Sequence, residues 1–344
     1  MHNPLHCILP PHILSNIAEK GTDRQRARAR EALADIEGIS ERRGIIGRIS
    51  RVFPSGGDTK QRTIYDAREH GRLPGLVVRH EGDPPIDDKA ANEAYDGSGE
   101  TYDLFKEEYG RDSINDNGLR LDSTIHYKQE YNNAFWNGSQ MAYGDGDGEI
   151  FNSFTTSIDV MGHELTHGVT ESSAGLVYRG QSGALNESWS DVFGSLVKQR
   201  SKKQDARRAD WLIGEGLLAK GIKGKALRSM KEPGTAYDDP VLGKDIQPGH
   251  MDQFIVMLQD RGGVHINSGI PNHAFYLFAY ELNGRAWEKA GLIWYKALQL
   301  MQPNTEFVGA AHTTMLVARV VHGAGSIEEK AVIGAWDKVG VHVR

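Results

Sequence analysis

The sequence predicts an α+β protein of two lobes, the first rich in β-structure and the second mainly helical, with one helix at the join. Three observations carry this. Between Arg62 and about Gly148, apolar residues fall in short β-branched and aromatic runs, Thr63–Tyr65, Leu76–Val78 and Thr124–Tyr127, separated by turn residues. From Ile158 onward the apolar spacing becomes helical, over 159–172, 181–200, 250–260, 271–282, 286–301, 305–323 and 326–338. The length, 344 residues, suits two packed lobes better than one.

Residues 1–50 stand apart from both lobes. They open with Cys7-Ile8-Leu9-Pro10-Pro11-His12-Ile13-Leu14 and run into a charged stretch from Asp23 to Glu37. There, Ala27, Ala29, Ala32, Leu33, Ala34 and Ile36 alternate with arginines as in a surface amphipathic helix, whose Arg24, Arg26, Arg28 and Arg30 form a solvated face. Gly44, Gly47, Ser55, Gly56 and Gly57 then read as a flexible linker. Within the first lobe one helix is predicted from Asp88 through Tyr109. In the second, Pro271 and Pro303 lie near helix starts, where proline is tolerated.

Composition excludes several classes. Apolar residues make up 39% and charged residues 25%, with a net charge of -6 spread over both signs. A nucleic-acid binder would show a basic excess, so no nucleic-acid partner is expected. A single cysteine, Cys7, rules out an intrachain disulfide. No apolar run approaches the length of a membrane span. The first 30 residues also lack the apolar stretch of a secretory signal.

The strongest chemical signal is His163-Glu164-Leu165-Thr166-His167. Histidines at i and i+4 leave one face of a helix together and can share a zinc ion, while Glu164 lies alongside. A helix with two packed histidines has the same spacing, so context must decide. A catalytic zinc needs a third protein ligand and an open fourth position. Glu187 and Asp191 are again i and i+4, flanked by Ala184, Leu185, Trp189, Val192 and Phe193. If that helix packs on the first, Glu187 supplies the third ligand and Asp191 accepts the free N–H of His163. Two acids on a helix are commonly a solvated face, but acids set among apolar residues need a partner.

In this order the motifs resemble the thermolysin family of zinc peptidases. Tyr131–Gly138 matches that family's substrate-binding edge strand, and Met141–Gly148 the turn after it. Gly175–Tyr178 matches the segment of its catalytic tyrosine, Leu227–Met230 that of its substrate-binding arginine, and Gly262–Gly269 that of its catalytic histidine. The resemblance implies the two-lobe fold with a zinc cleft between the lobes, and divides the chain into a pro-segment (1–50), a β-rich lobe ending in the zinc helix (51–170) and a helical lobe (171–344). It implies a metalloendopeptidase with one catalytic zinc on His163, His167 and Glu187. Glu164 assists the attack of water, Tyr178 and His265 donate to the developing oxyanion, and Asp260 orients His265. Asn133, the Ala134 carbonyl and Arg228 hold the substrate, with cleavage before hydrophobic residues. A structural zinc protein and a small-peptide or aminopeptidase are the rival readings. Retention of Glu164 with three ligands disfavours the first, and the edge strand disfavours the second.

The pattern also departs from the family. Asp159, Asp210 and Glu215 sit at calcium-ligand positions, but Lys198 stands where a shared acid is usual, so the expectation is one structural calcium, held by these three and the Leu212 carbonyl. Leu218, Ala219 and Lys225 offer no acids to a further site. The short pro-segment with Pro10-Pro11-His12-Ile13-Leu14 resembles the protealysin-like subgroup. This implies a latent precursor bound by its own segment in cis and cut near Ser50–Ser55. The family resemblance implies a secreted monomer acting on peptide or protein substrates, with intracellular accumulation or non-classical export as the alternative where no signal is visible. For Cys7 two readings stand: a small buried apolar residue, or a thiolate cap on the zinc.

Overall fold

The strand-like runs assemble into one mixed sheet. The computed structural model of the chain describes residues 6–49 and 59–343. The leading segment forms a short strand β1 (His6–Cys7) and two helices, α1 (Pro11–Lys20) and α2 (Asp23–Ile49). The sheet continues with β2 (Arg62–Asp66) and β3 (Leu76–His80), passes through helix α3 (Lys89–Asp103), and is completed by β4 (Leu121–Ile125), β5 (Ala134–Trp136) and β6 (Met141–Tyr143). Its order is β1-β5-β6-β4-β2-β3. The strand of the leading segment therefore forms one edge, pairing antiparallel with β5 through His6↔Trp136 and Cys7↔Phe135.

The helical lobe follows as α4 (Ile158–Ser172), α5 (Gly180–Ser201), α6 (Asp260–Asn267), α7 (Gly269–Leu282), α8 (Lys289–Leu300), α9 (Phe307–His322) and α10 (Ile327–Lys338), with two short strands, β7 (Leu212–Ile213) and β8 (Arg228–Ser229), in the long connection after α5. Nearly every residue of α4 and α5 is buried. Two glycines allow these helices to touch backbone to backbone. A methyl group at Gly194 would stand 2.4 Å from the Asp159 carbonyl oxygen, and one at Gly162 would stand 3.0 Å from the Gly194 Cα. Such closeness brings short side chains of α5 within reach of the α4 histidines.

Three expectations need correction. The stretch 250–260 is not a helix: a single 3-10 turn spans Met251–Gln253, and an irregular loop follows. Asp260, Arg261, Gly262 and Gly263 then lie in the left-handed region, with φ of 49°, 51°, 92° and 77°. The glycines take this conformation without the steric cost a side chain brings. Of the expected linker, Ser55, Gly56 and Gly57 lie outside the described residues. No linker begins at Gly44, because α2 runs to Ile49, carrying Gly44 and Gly47 inside it. Each costs a helix about 1 kcal/mol and is tolerated among good helix formers. The strand through Thr124–Tyr127 ends at Ile125, since His126 turns the chain at φ 51°. The cut expected at Ser50–Ser55 lies outside the described residues. Among the described residues no helix is long and apolar enough to cross a membrane.

Candidate active site

His163 and His167 project from α4 toward Glu187 on α5, and all three are fully buried. Their ligand atoms lie within 4.8 Å of one another. His163 Nδ1 is 2.8 Å from Asp191 Oδ1, and His167 Nδ1 is 2.8 Å from Asn186 Oδ1 and 3.0 Å from Ser190 Oγ. Both partners are acceptors, so both rings carry their proton on Nδ1. Their Nε2 lone pairs then face each other at 3.0 Å. Glu187 adds Oε2 at 3.6 Å from His163 Nε2 and Oε1 at 3.4 Å from His167 Nε2, and its Oε2 is buried with no hydrogen-bond partner. Two lone pairs and a carboxylate converging in a dry interior repel unless a cation lies among them. Two imidazoles and one carboxylate are the donor set of a catalytic zinc, so the residues fit the metal.

The supporting residues are equally buried. Asp191 accepts from His163, from Arg228 Nε and Nη2 at 2.8 Å each, and from Asn272 Nδ2 at 2.8 Å. Burial alone would raise its pKa, but the Arg228 guanidinium and His163 outweigh this and hold the carboxyl well below the usual carboxylate range. Glu164, fully buried beside the histidines, accepts from the backbone N–H of Trp136 at 3.1 Å.

Tyr178, His265 and Asp260 close the other side. The Tyr178 hydroxyl donates to Glu187 Oε1 and stands 3.2 Å from His265 Nε2. Asp260 accepts from His265 Nδ1 at 2.6 Å and from its backbone N–H at 2.9 Å, and Gln247 Nε2 donates to the His265 carbonyl at 2.6 Å. Burial would lower the pKa of His265, but the carboxylates of Asp260 and Glu187 raise it to about 9. The left-handed turn at Asp260–Gly263 is what brings Asp260 back onto a histidine five residues later.

The leading segment fills the cleft in front of these groups. The Cys7 carbonyl oxygen lies 3.2 Å from His265 Nε2, and the Ile8 carbonyl accepts from Arg228 Nη1 at 3.0 Å. Cys7, Ile8 and Leu9 are all buried. Asn133 is buried beside the Cys7 thiol, and Ala134 opens the strand that pairs with β1. The thiol itself is placed on the Leu9 carbonyl, at 3.5 Å, and is not among the side chains that converge on the metal position. The carbonyl of Cys7 faces His265, and burial raises the pKa of the thiol, together with Glu164 and Glu187, which lie within electrostatic reach of it.

The calcium set is also brought together, around a different cation. Lys198 Nζ lies 3.0 Å from Asp159 Oδ2, 2.7 Å from Asp210 Oδ1 and 2.6 Å from the Leu212 carbonyl. Burial opposes this charge, and Asp159 and Asp210 outweigh it, raising the lysine pKa. Glu215, the fourth expected ligand, shares a hydrogen bond with Asp210 and also pairs with Lys202 at 3.5 Å. The expectation of one calcium is narrowed accordingly: an ammonium holds three of its four oxygens.

Sequence reasoning missed Asn186, Ser190, Gln247 and Asn272. Asn186 and Ser190 are i and i+4 on α5, each one position before Glu187 and Asp191 and interleaved with Ala184, Leu185, Trp189, Val192 and Phe193, a pattern that marks paired buried polar groups. Asn272, between Pro271 and the apolar run of α7, carries no comparable local signal.

Comparison with known proteins agrees with this geometry. Residues 58–171 match the thermolysin metallopeptidase catalytic domain, residues 174–341 the thermolysin metallopeptidase alpha-helical domain, and residues 6–42 the protealysin propeptide. An extracellular metalloprotease of Pectobacterium carotovorum is 49% identical over 99% of this chain and 98% of its own length. Protease PrtS of a Photorhabdus strain is 48% identical over 98% of this chain and 92% of its own. The solved precursor of protealysin, a metalloproteinase from Serratia proteamaculans, superposes with a TM-score of 0.88 at 52% identity, covering 98% of this chain and 99% of that one. The buried three-ligand centre, the cleft it opens on and the segment lying in that cleft thus belong to a metalloendopeptidase precursor, and the chain is a member of the thermolysin family of metallopeptidases.

Proposed function

We propose that this precursor is latent because its pro-segment (1–50) places Cys7–Leu9 in the cleft as a substrate would be, and that the enzyme formed by residues 51–170 and 171–344 hydrolyses internal peptide bonds before hydrophobic residues. The observation that carries this reading is the placement of two successive carbonyls. That of Cys7, the last residue of the strand antiparallel to β5, faces His265, and that of Ile8, the next residue, sits on Arg228. Added-strand pairing of this kind reads an extended backbone without regard to most side chains, which suits an endopeptidase. By this register the residue after the cut corresponds to Ile8, whose side chain is fully buried.

Zinc held by His163, His167 and Glu187 supplies Lewis-acid activation of water and of the scissile carbonyl. Glu164 takes the proton of the attacking water and returns it to the leaving amine. His265, kept charged by Asp260, donates to the oxyanion, and Tyr178 joins it once its hydroxyl leaves Glu187. Arg228, anchored by Asp191, fixes the next carbonyl, while Asn133 and the Ala134 carbonyl hold the backbone beyond. The Lys198 ammonium takes the place of the structural calcium. The enzyme acts as a monomer, and it acts outside the cell, as the name of the extracellular relative suggests.

Casein hydrolysis tests this, measured on purified protein before and after removal of the pro-segment and beside Glu164→Ala with its zinc assayed. Activity should appear on maturation and be absent from a variant that still holds one zinc. A matured wild type that is inert with zinc bound would overturn the reading and favour a binding protein.

A further inference from the structure

The pro-segment is fastened to the cleft rim by a histidine that has no place for a second proton. His12, at the start of α1, lies with Nε2 3.0 Å from the Tyr237 hydroxyl, and its Nδ1 is buried with no hydrogen-bond partner. One turn later Asn16 donates to the Leu242 carbonyl at 2.8 Å, so this face of α1 docks on the loop 237–243. With its proton on Nε2 the neutral ring donates to Tyr237, and the bare lone pair of Nδ1 tolerates burial. A second proton would leave an N–H facing no acceptor, which costs the full desolvation of that group. It would also add a charge acted on by Arg228 and His265, which oppose it, with Asp260 alone favouring it. Tyr237 gives no relief, because burial pushes its phenol above the ordinary range and keeps it neutral.

We propose that His12 is an acid-sensitive latch, holding the pro-segment in the cleft while its ring is neutral and releasing it as the ring gains a proton. Burial, only partly offset by Asp260, takes its pKa from 6.5 to about 4 when docked. Docking is therefore at full strength above pH 6.5, where docked and released rings are both neutral. It weakens as the pH falls from 6.5 toward 4, where the released ring alone holds the proton. The opening equilibrium rises about tenfold per pH unit across this window, to a ceiling of roughly 300-fold.

The latch rests on the reading that the pro-segment blocks the cleft, and its test reads docking rather than catalysis. Cys7, the one cysteine, is buried as part of the docked strand β1, so its labelling by dithiodipyridine reports opening. The full-length Glu164→Ala precursor, which cannot cut itself, is labelled between pH 4 and 8 with and without His12→Gln. The glutamine amide can still bond Tyr237 but takes up no proton, and the ratio of the two rates cancels the ionisation of the thiol. The ratio should climb about tenfold per unit below pH 6.5 and level off near pH 4. A constant ratio overturns the latch. If His12→Gln does not fold by circular dichroism, His12→Asn replaces it, and the parent rate normalised to glutathione reads the same slope. A flat ratio beside normal casein hydrolysis by the matured enzyme sinks the latch alone, and a sloping ratio beside an inert matured enzyme sinks the peptidase reading alone.

Discussion

Helices α4 and α5 hold two buried cation cradles side by side, and the two are built on opposite plans. Asp159, His163 and His167 follow one another at four-residue steps along α4, so the lysine cradle and the metal cradle share a helix face. At one end, Lys198 brings its own positive charge from α5 to Asp159, Asp210 and the Leu212 carbonyl. At the other, two imidazole lone pairs and Glu187 converge, and among the described residues no Lys or Arg side chain is placed between them. The difference follows from what each charge does. A structural charge needs only to be neutralised, and a tethered ammonium does this at any calcium concentration. A catalytic cation must offer an open position to the reacting carbonyl and to water, which an ammonium cannot.

The largest effects should fall on the metal cradle. Glu164→Gln should lower kcat/KM by about 10²- to 10⁴-fold while zinc content stays at one per chain, measured by hydrolysis of an internally quenched peptide and by metal analysis. Chelation of zinc by 1,10-phenanthroline should abolish turnover. An effect of Glu164→Gln confined to KM would place this residue in substrate binding and break the assignment.

The lysine cradle should respond in stability instead. Lys198→Ala removes the cation from a pair of carboxylates, one of them almost fully buried, and should cost about 3–5 kcal/mol in denaturant unfolding. Calcium at millimolar concentration should return part of this loss, because the oxygen ligands remain. The wild type with zinc intact should show the same melting temperature with and without EGTA. A wild type that collapses in EGTA would mean that calcium binds beside the lysine, and the contrast between the cradles would fail.

Most of this was legible in the sequence because it rests on local spacing. His163, Glu164 and His167 lie within five residues and Glu187 and Asp191 on one helical turn, so helix geometry already places these two sets; Asp260 and His265 followed from the family resemblance, because a left-handed turn and not a helix joins them. The long helices followed from apolar periodicity. What was not legible depends on contacts between distant segments. Asn272 meets Asp191 only because α7 packs against α5. The short strand β1 becomes visible only beside β5, since two residues carry no alternation to read. The loop before Asp260 looked helical because Ile255, Val256, Met257 and Leu258 are apolar, yet Val256 and Leu258 are 90% exposed. Lys198 was seen as a departure, but only the fold shows its ammonium inside the cradle.

The smallest effect concerns a third cation, intermediate between the other two. His126 lies between Asp88, whose Oδ2 is 3.0 Å from Nε2, and Asp145, whose oxygens are 2.8 and 2.9 Å from Nδ1. Asp88 also caps α3 by accepting from the Ala91 N–H, so the charged ring ties that helix to the turn carrying Asp145. The hydrogen bond to Asp145 leads the causes that raise the ring's pKa from 6.5 to about 9. A raised folded pKa means that the stabilisation is complete below pH 6.5 and declines as the pH rises toward and through 9. The side chain is 28% exposed, so the gain is screened and should be smaller than that from Lys198. His126→Gln should therefore melt below the wild type at pH 6, and the gap should narrow by pH 9.5, while the deficit of Lys198→Ala persists because its ammonium titrates higher still. A His126→Gln deficit that does not change with pH would show that the ring acts there through its hydrogen bonds alone, leaving Lys198 as the one built-in charge of the pair that stabilises by being charged.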